Sequence, residues 1–295
     1  MIKLVLSDMD ETLKRANEPL VPKRTLKAIT ALKEAGIDFG PATGRSAYDA
    51  LPFYGFDARY LQTAVCGSGK VVYGKGALVA KRVLSTKTLE RILQVIARYK
   101  DTYLAYFDEG PAEPPLDVSI RPAWMIFGVT QAQVDYINAH YDSFTTAQGP
   151  NTVPHDKDFI SVGILAPQDQ LAREAMFDDV LTQIPEIDLV SPYTGWYDVN
   201  PKGFSKADGF KILLEYLNLA PDEVVFCGDS GNDLTLLELS PHSFCVGNGS
   251  DEAKAAATYT LNGTVDEEIV AQLMEALVAD GGDISGSHVQ ALIER

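Results

Sequence analysis

The stretch MIKLVLSDMDETL, residues 1–13, decides the fold class. Ile2 to Ser7 is a short, near-continuous apolar run, the pattern of a parallel strand buried on both faces. It breaks into an acidic loop, so Asp8 is expected at a strand's carboxyl end. Working outward, Pro22 to Thr25 opens a helical stretch with apolar Leu26, Ile29, Leu32 and Ala35, and Gly36 stops it. Ile37 to Thr43 then reads as a second strand ending in Gly44-Arg45, completing a β-α-β unit.

From Thr63 to Val83 two β-rich runs flank Gly74-Lys75-Gly76, a hairpin signal. Beyond it, helical patterns at Thr86–Tyr99, Gln131–Tyr141 and Gln168–Ile184 alternate with strand patterns at Thr102–Phe107 and Phe159–Ala166. The proline-rich stretch Pro111–Pro122 reads as a loop inside this region. After Trp196 the first pattern resumes: Ser205 caps a helix over Lys206–Leu219, a strand covers Glu223–Cys227, and a second acidic loop, Gly228 to Asp233, leads into a helix at Leu234–Leu239. The reading is an α/β protein with a Rossmann-like parallel-sheet core, residues 1–84 and 193–295, and an inserted α/β domain at 85–192. The Gly-rich segment Asp280–Ser287 is expected to be mobile.

The chain has 295 residues, 46% hydrophobic and 22% charged, enough apolar material for a substantial core. Its formal charge of -16 argues against a broad surface for nucleic acid or an anionic membrane. Cys66, Cys227 and Cys245 form no CxxC pair, which favours reduced thiols and a cytoplasmic setting. No uninterrupted apolar span reaches the roughly 18 residues of a membrane helix.

The two acidic loops carry the chemistry. Asp8 and Asp10 follow one buried strand and Asp229 and Asp233 another, and in an open α/β sheet ligands bind at the carboxyl ends of the strands. Four carboxylates converging in one crevice repel each other unless a cation neutralises them, and an all-oxygen set suits Mg²⁺. A polar turn and a helix N-cap explain either loop alone, but not both together. Thr43, at the end of the second strand, offers a hydroxyl and neighbouring amides to phosphate oxygens, and Lys206 offers a compact cation at a helix start.

These segments resemble a known family. DMDETL at Asp8–Leu13, ATGR at Ala42–Arg45, GFSKADG at Gly203–Gly209 and GDSGNDLTLL at Gly228–Leu237 look like the four ordered motifs of the haloacid dehalogenase superfamily. The long insertion between the second and third is similar to the α/β (type IIB) cap of its Cof-type sugar-phosphatase subfamily. The resemblance implies a phosphatase acting on a small phosphorylated metabolite, with Asp8 as nucleophile and Asp10 as acid and base. It implies Mg²⁺ held by Asp8, the Asp10 backbone carbonyl, Asp229 and Asp233, with Asn232 in support and with Thr43, Gly44 and Lys206 on the phosphate. A phosphotransferase or mutase using the same aspartyl-phosphate, and a metabolite-binding regulator that kept the fold, remain alternatives. In two places the chain departs from the family: Glu11 replaces a small Gly, which adds a carboxylate near the phosphate entrance, and Ser68-Gly69 stands where Asn-Gly is common.

Other signals carry no chemistry. Gly67-Ser68-Gly69-Lys70 lacks the Ser or Thr and the spacing of a phosphate loop and reads as a hairpin turn. His140, His155, His242 and His288 are scattered, with no ligand spacing. Trp196 and Tyr197 read as packing residues.

Overall fold

The first strand, Leu4–Ser7, is wholly buried, as a run apolar on both faces must be. In a computed structural model that describes residues 1–140 and 146–294, it is the second-last strand of a five-stranded parallel sheet. The order is Tyr259–Thr260, His242–Cys245, Val224–Gly228, Leu4–Ser7, Asp38–Pro41. The helix Lys23–Glu34 links Leu4–Ser7 to Asp38–Pro41, burying Thr25, Ala28, Ile29 and Leu32 at helical spacing. It ends where Gly36 takes the left-handed conformation, φ 82°.

By its contacts the chain divides into two units, one of Met1–Lys81, Ala112–Val118 and Ser205–Arg295, the other of Arg82–Pro111 and Ser119–Phe204. In the first, a small antiparallel sheet of Ala64–Cys66, Val71–Gly74 and Ala77–Lys81 supports the helix Lys206–Leu217. Its two turns fall at Gly67–Gly69 and Lys75-Gly76, the hairpins read from the sequence. Ala112–Val118 belongs to this unit: the Tyr73 hydroxyl donates to the Ala112 carbonyl at 2.8 Å, and the Asp117 N–H donates to the Tyr48 hydroxyl at 3.2 Å.

The second unit carries a six-stranded sheet, ordered Ile187–Tyr193, Trp196–Pro201, Val162–Leu165, Tyr103–Asp108, Ala123–Ile126, Thr146–Gln148. Helices Thr86–Ile96 and Gln170–Gln183 bury Leu89, Ile92, Met176 and Val180 against Leu104, Val162 and Ile164. A third helix is described over Gln131–His140, and the Tyr141 end expected for it lies outside the described residues. Four of the strands were not legible in the sequence: Ala123–Ile126 and Thr146–Gln148 are short, and the stretch 187–201 carries Pro192, Gly195 and Pro201, residue types that disfavour a strand. Trp196 is buried, packed edge-on to Trp124 at 4.8 Å over Gly163.

The Gly-rich segment expected to be mobile has fixed partners instead. The Ile2 N–H donates to Gly282 O at 2.9 Å, and Asp280 Oδ2 accepts from the N–H groups of His288 and Val289 at 2.9 and 3.0 Å. Glycine serves close approach here: a Cβ on Gly286 would lie 2.2 Å from the Asp280 carboxyl carbon.

Candidate active site

Strand register assembles the site. Ser7 is paired with Cys227 on one side and Pro41 on the other. The Asp8 N–H donates to Cys227 O, and the Ala42 N–H donates to Ser7 O, both at 2.8 Å. Asp8, Asp229 and Thr43 therefore leave neighbouring strands at one edge of the sheet.

Lys206 is delivered by the first turn of its helix, which Ser205 and Asp208 cap reciprocally. Ala207, Phe210, Leu213 and Leu214 bury that helix against Val65, Val72, Leu4 and Phe226. Contact is backbone to backbone at its start: a Cβ on Gly69 would lie 2.2 Å from Ser205 O, and one on Gly209 would lie 2.8 Å from Gly69 Cα. Gly69 also needs a positive φ of 96°. Seated this deeply, Lys206 Nζ donates to Asp8 Oδ1 at 2.6 Å and to Asp233 Oδ1 at 2.7 Å, its side chain 1% exposed.

The second acidic loop is held from both sides. The N–H groups of Asp229 and Ser230 donate to Asp233 Oδ2 at 3.1 and 3.3 Å, and the Thr12 hydroxyl donates to Asp229 Oδ1 at 2.7 Å. A Cβ on Gly228 would lie 2.8 Å from the Asp233 carboxylate, so the loop folds this tightly only around glycine. Asn232 Oδ1 accepts from the Ser230 hydroxyl at 3.0 Å.

Oxygens of Asp8, Asp229 and Asp233 lie within 4.8 Å of one another. Three carboxylates against one ammonium leave two uncompensated negative charges, the charge of one divalent cation. Burial pushes the Asp8 carboxyl well above its ordinary range, Lys206 opposes that, and the neighbouring Asp233 and Asp229 add to it. Burial and the Asp233 charge push Asp229 up to about 6. A hard, all-oxygen donor set with uncompensated charge fits a metal ion such as Mg²⁺.

Asp10 stands apart from this cluster. Arg45 Nε donates to its Oδ2 at 2.6 Å and Arg45 Nη2 to its Oδ1 at 3.2 Å, while Lys14 Nζ donates to Oδ1 at 3.0 Å. Burial pushes the Asp10 carboxyl up, but the two cations outweigh it and hold the group below its ordinary value. Arg45 also pairs with Asp49 at 2.9 Å, and its guanidinium lies 4.6 Å from the centre of the Phe53 ring. Thr43 is buried with its hydroxyl accepting from the Arg45 N–H at 3.1 Å, and Gly44 is the half-buried residue between them.

Glu11 takes the left-handed conformation, φ 62°, where glycine is the unstrained choice. Its carboxylate turns back onto its own loop and accepts from the Ala16 N–H at 2.8 Å. Ser68 is left-handed too, φ 56°, and its N–H donates to Thr43 O at 3.0 Å while the Gly67 N–H donates to Arg45 O at 2.7 Å. Sequence reasoning missed Thr12, Lys14, Asp49 and Phe53. Only Thr12 and Lys14 had a signal, their place inside the first acidic loop.

The family model described as haloacid dehalogenase-like hydrolase matches residues 5–274. A 5-amino-6-(5-phospho-D-ribitylamino)uracil phosphatase of Escherichia coli is 24% identical over 270 residues, covering 88% of this chain and 90% of the relative. A haloacid dehalogenase-like hydrolase of Bacteroides thetaiotaomicron superposes with a TM-score of 0.75 at 18% identity, over 94% of this chain and all of that one (100%). A subclass IIB sugar phosphatase of the superfamily superposes with a TM-score of 0.70 at 18% identity, over 92% and 98% of the two chains. Likeness at this identity shows the fold.

Proposed function

This chain belongs to the haloacid dehalogenase-like hydrolases, and we propose that as a phosphatase of that family it is Mg²⁺-dependent and hydrolyses a small phosphorylated metabolite through a phosphorylated Asp8. The observation that carries the reading is the buried Lys206 ammonium bonded to Asp8 at 2.6 Å beside two further carboxylates. Lys206 thereby orients Asp8 and favours its ionised form against burial, the form a nucleophile needs.

In the first step an Asp8 carboxylate oxygen bonds to phosphorus while the bond to the leaving oxygen breaks, and Asp10 gives that oxygen a proton. In the second, Asp10 takes a proton from water as the water oxygen bonds to phosphorus and the Asp8 oxygen–phosphorus bond breaks, which releases phosphate and the free Asp8 carboxylate. Lys206, Thr43 and the Gly44 amide stabilise charge on the transferring phosphoryl group. Asp8, the Asp10 backbone carbonyl, Asp229 and Asp233 would hold Mg²⁺, with Asn232 in support, and the ion would supply positive charge against the negative charge of the reaction.

The insertion, residues 85–192 on the sequence reading, serves in this proposal as a cap that limits substrates to small molecules. A sugar phosphate or similar metabolite is the substrate class, in keeping with the phosphatase relatives. The test is a screen of phosphorylated metabolites with purified protein and Mg²⁺, reading inorganic phosphate with water as the only acceptor. Phosphate release that stops in chelator and returns with Mg²⁺ is expected. Turnover that persists after verified metal removal refutes the metal requirement, and transfer only to a second hydroxyl refutes hydrolysis.

A further inference from the structure

Lys14 sits in a stretch, Leu13-Lys14-Arg15-Ala16-Asn17, that reads as a solvated basic turn, yet its side chain is completely buried. An ammonium taken out of water persists only where its protons are paired. Beyond Asp10 Oδ1, Lys14 Nζ donates to Arg15 O at 2.7 Å and Ala16 O at 3.4 Å, and it lies 4.3 Å from the centre of the Phe53 ring. Two carbonyls of its own loop and an aromatic face thus fix the charge, and what the fixed charge in turn holds is Asp10.

The second cation on Asp10 is differently placed. Arg45 is 27% exposed and keeps another partner, Asp49, if it lets Asp10 go. Of the two Asp10 oxygens, Oδ1 accepts from both Lys14 and Arg45, whereas Oδ2 accepts from Arg45 alone. A carboxylate oxygen accepts at two lone pairs, so Oδ1 is filled and Oδ2 keeps one open. With Lys14 fixed on Oδ1, the oxygen open to a proton is Oδ2.

We propose that Lys14 is a positioning residue, whose enclosed ammonium holds Asp10 Oδ1 so that Oδ2 exchanges the proton with the reacting group and the carboxylate stays out of the Asp8-Asp229-Asp233 cluster. The inference rests on the acid and base role proposed for Asp10. The Oδ2 proton passes to the leaving oxygen as its bond to phosphorus breaks, and Oδ2 later accepts a proton from the water that attacks phosphorus.

The test compares Lys14→Met, Asp10→Asn and the double variant in the full-length protein, using an alkyl phosphate, which needs protonation on leaving, and an aryl phosphate, which does not. Because kcat/KM reports the steps through departure of the leaving group, Lys14→Met should lower the alkyl value about tenfold to hundredfold and leave the aryl value within about threefold. Added to Asp10→Asn it should cost nothing further, since it acts through Asp10. Mg²⁺ affinity by calorimetry should stay within about threefold, because Lys14 touches no member of the cluster. Lys14→Gln, which keeps a donor of similar reach, should preserve more of the alkyl-to-aryl ratio and carries the same comparison if Lys14→Met does not fold. Equal losses on both substrates, additivity in the double variant, or loss of Mg²⁺ binding overturns the proposal while Asp10→Asn still impairs the alkyl reaction. An alkyl kcat/KM unchanged by Asp10→Asn itself brings down the acid and base reading, and the proposal with it.

Discussion

Lys206→Met keeps the aliphatic stem of a buried side chain and deletes its charge, so it isolates what the ammonium contributes. In the metal-free protein Asp8 and Asp233 then lose bonds of 2.6 and 2.7 Å, and three carboxylates share one crevice with no bonded cation. Breaking a buried pair by removing one partner costs about 3–5 kcal/mol. Against the roughly 5–15 kcal/mol that holds a folded domain together, that is a large share. Asp8 titrates above its ordinary range already, and without Lys206 it is raised further. A carboxyl whose folded pKa is raised loses stability as pH rises toward that pKa, so the variant's deficit is greatest at alkaline pH and shrinks on acidification. On the proposed metal site, Mg²⁺ at 100 times its dissociation constant should return about 2.7 kcal/mol by binding the native cluster. Urea unfolding with and without Mg²⁺ measures these terms by far-UV circular dichroism. The chain's two tryptophans, Trp124 and Trp196, lie in the second unit, so their emission serves as an internal reference. Activity should fall by about 10²–10³, the loss typical when one donor to a developing oxyanion is removed. Metal-free stability within about 1 kcal/mol of wild type at pH 8, with no response to Mg²⁺, would refute the charge balance argued here.

Further outcomes follow from the same geometry. Asp8→Asn should fold and bind but turn over less than about a hundredth as fast, since an amide is a poor nucleophile, and greater residual activity in a steady-state assay counts against covalent catalysis at Asp8. Asp10→Asn should let phosphorylated Asp8 accumulate with an aryl phosphate, to be located by labelling and peptide mapping; slow turnover with normal Mg²⁺ binding and no trapped intermediate contradicts the two-step scheme. At Glu11, Glu→Ala keeps the left-handed strain and loses the bond from Ala16, for a cost of about 1 kcal/mol. Glu11→Gly relieves the strain as it loses the bond and should lie within about 0.5 kcal/mol of wild type, so equal melting shifts for the two variants would dismiss the strain.

The sequence made the candidate site legible where one of its side chains directly follows its own strand. Asp8 after Leu4–Ser7 and Asp229 after Val224–Gly228 each announce themselves by an apolar run breaking into acid. What it hid are pairings between distant segments. The Thr12 bond to Asp229 spans 217 positions, and Lys14 looks like a surface charge until Phe53 covers it. Local pattern carries no information on which distant ring will exclude water. The same limit applies to Ala112–Val118, which sequence reads as a proline-rich loop and which is anchored by a tyrosine hydroxyl 39 positions earlier. In the second unit the long amphipathic helix Thr86–Ile96 was legible, whereas strand Thr146–Gln148 is too short to show a period.

The depth of Lys206 is set by two side chains that do not exist. Gly69 and Gly209 let a helix start rest directly on a turn, and the nearest clash for an added methyl at Gly69, 2.2 Å, is with a main-chain atom that cannot rotate away. The crevice therefore has a machined tolerance. An alanine at either position works as a spacer, backing the ammonium out of a 2.6 Å bond without touching a single reacting atom. Substitutions at these two glycines should therefore register as catalytic lesions, grouped by phenotype with Asp8 rather than with the hydrophobic core that surrounds them.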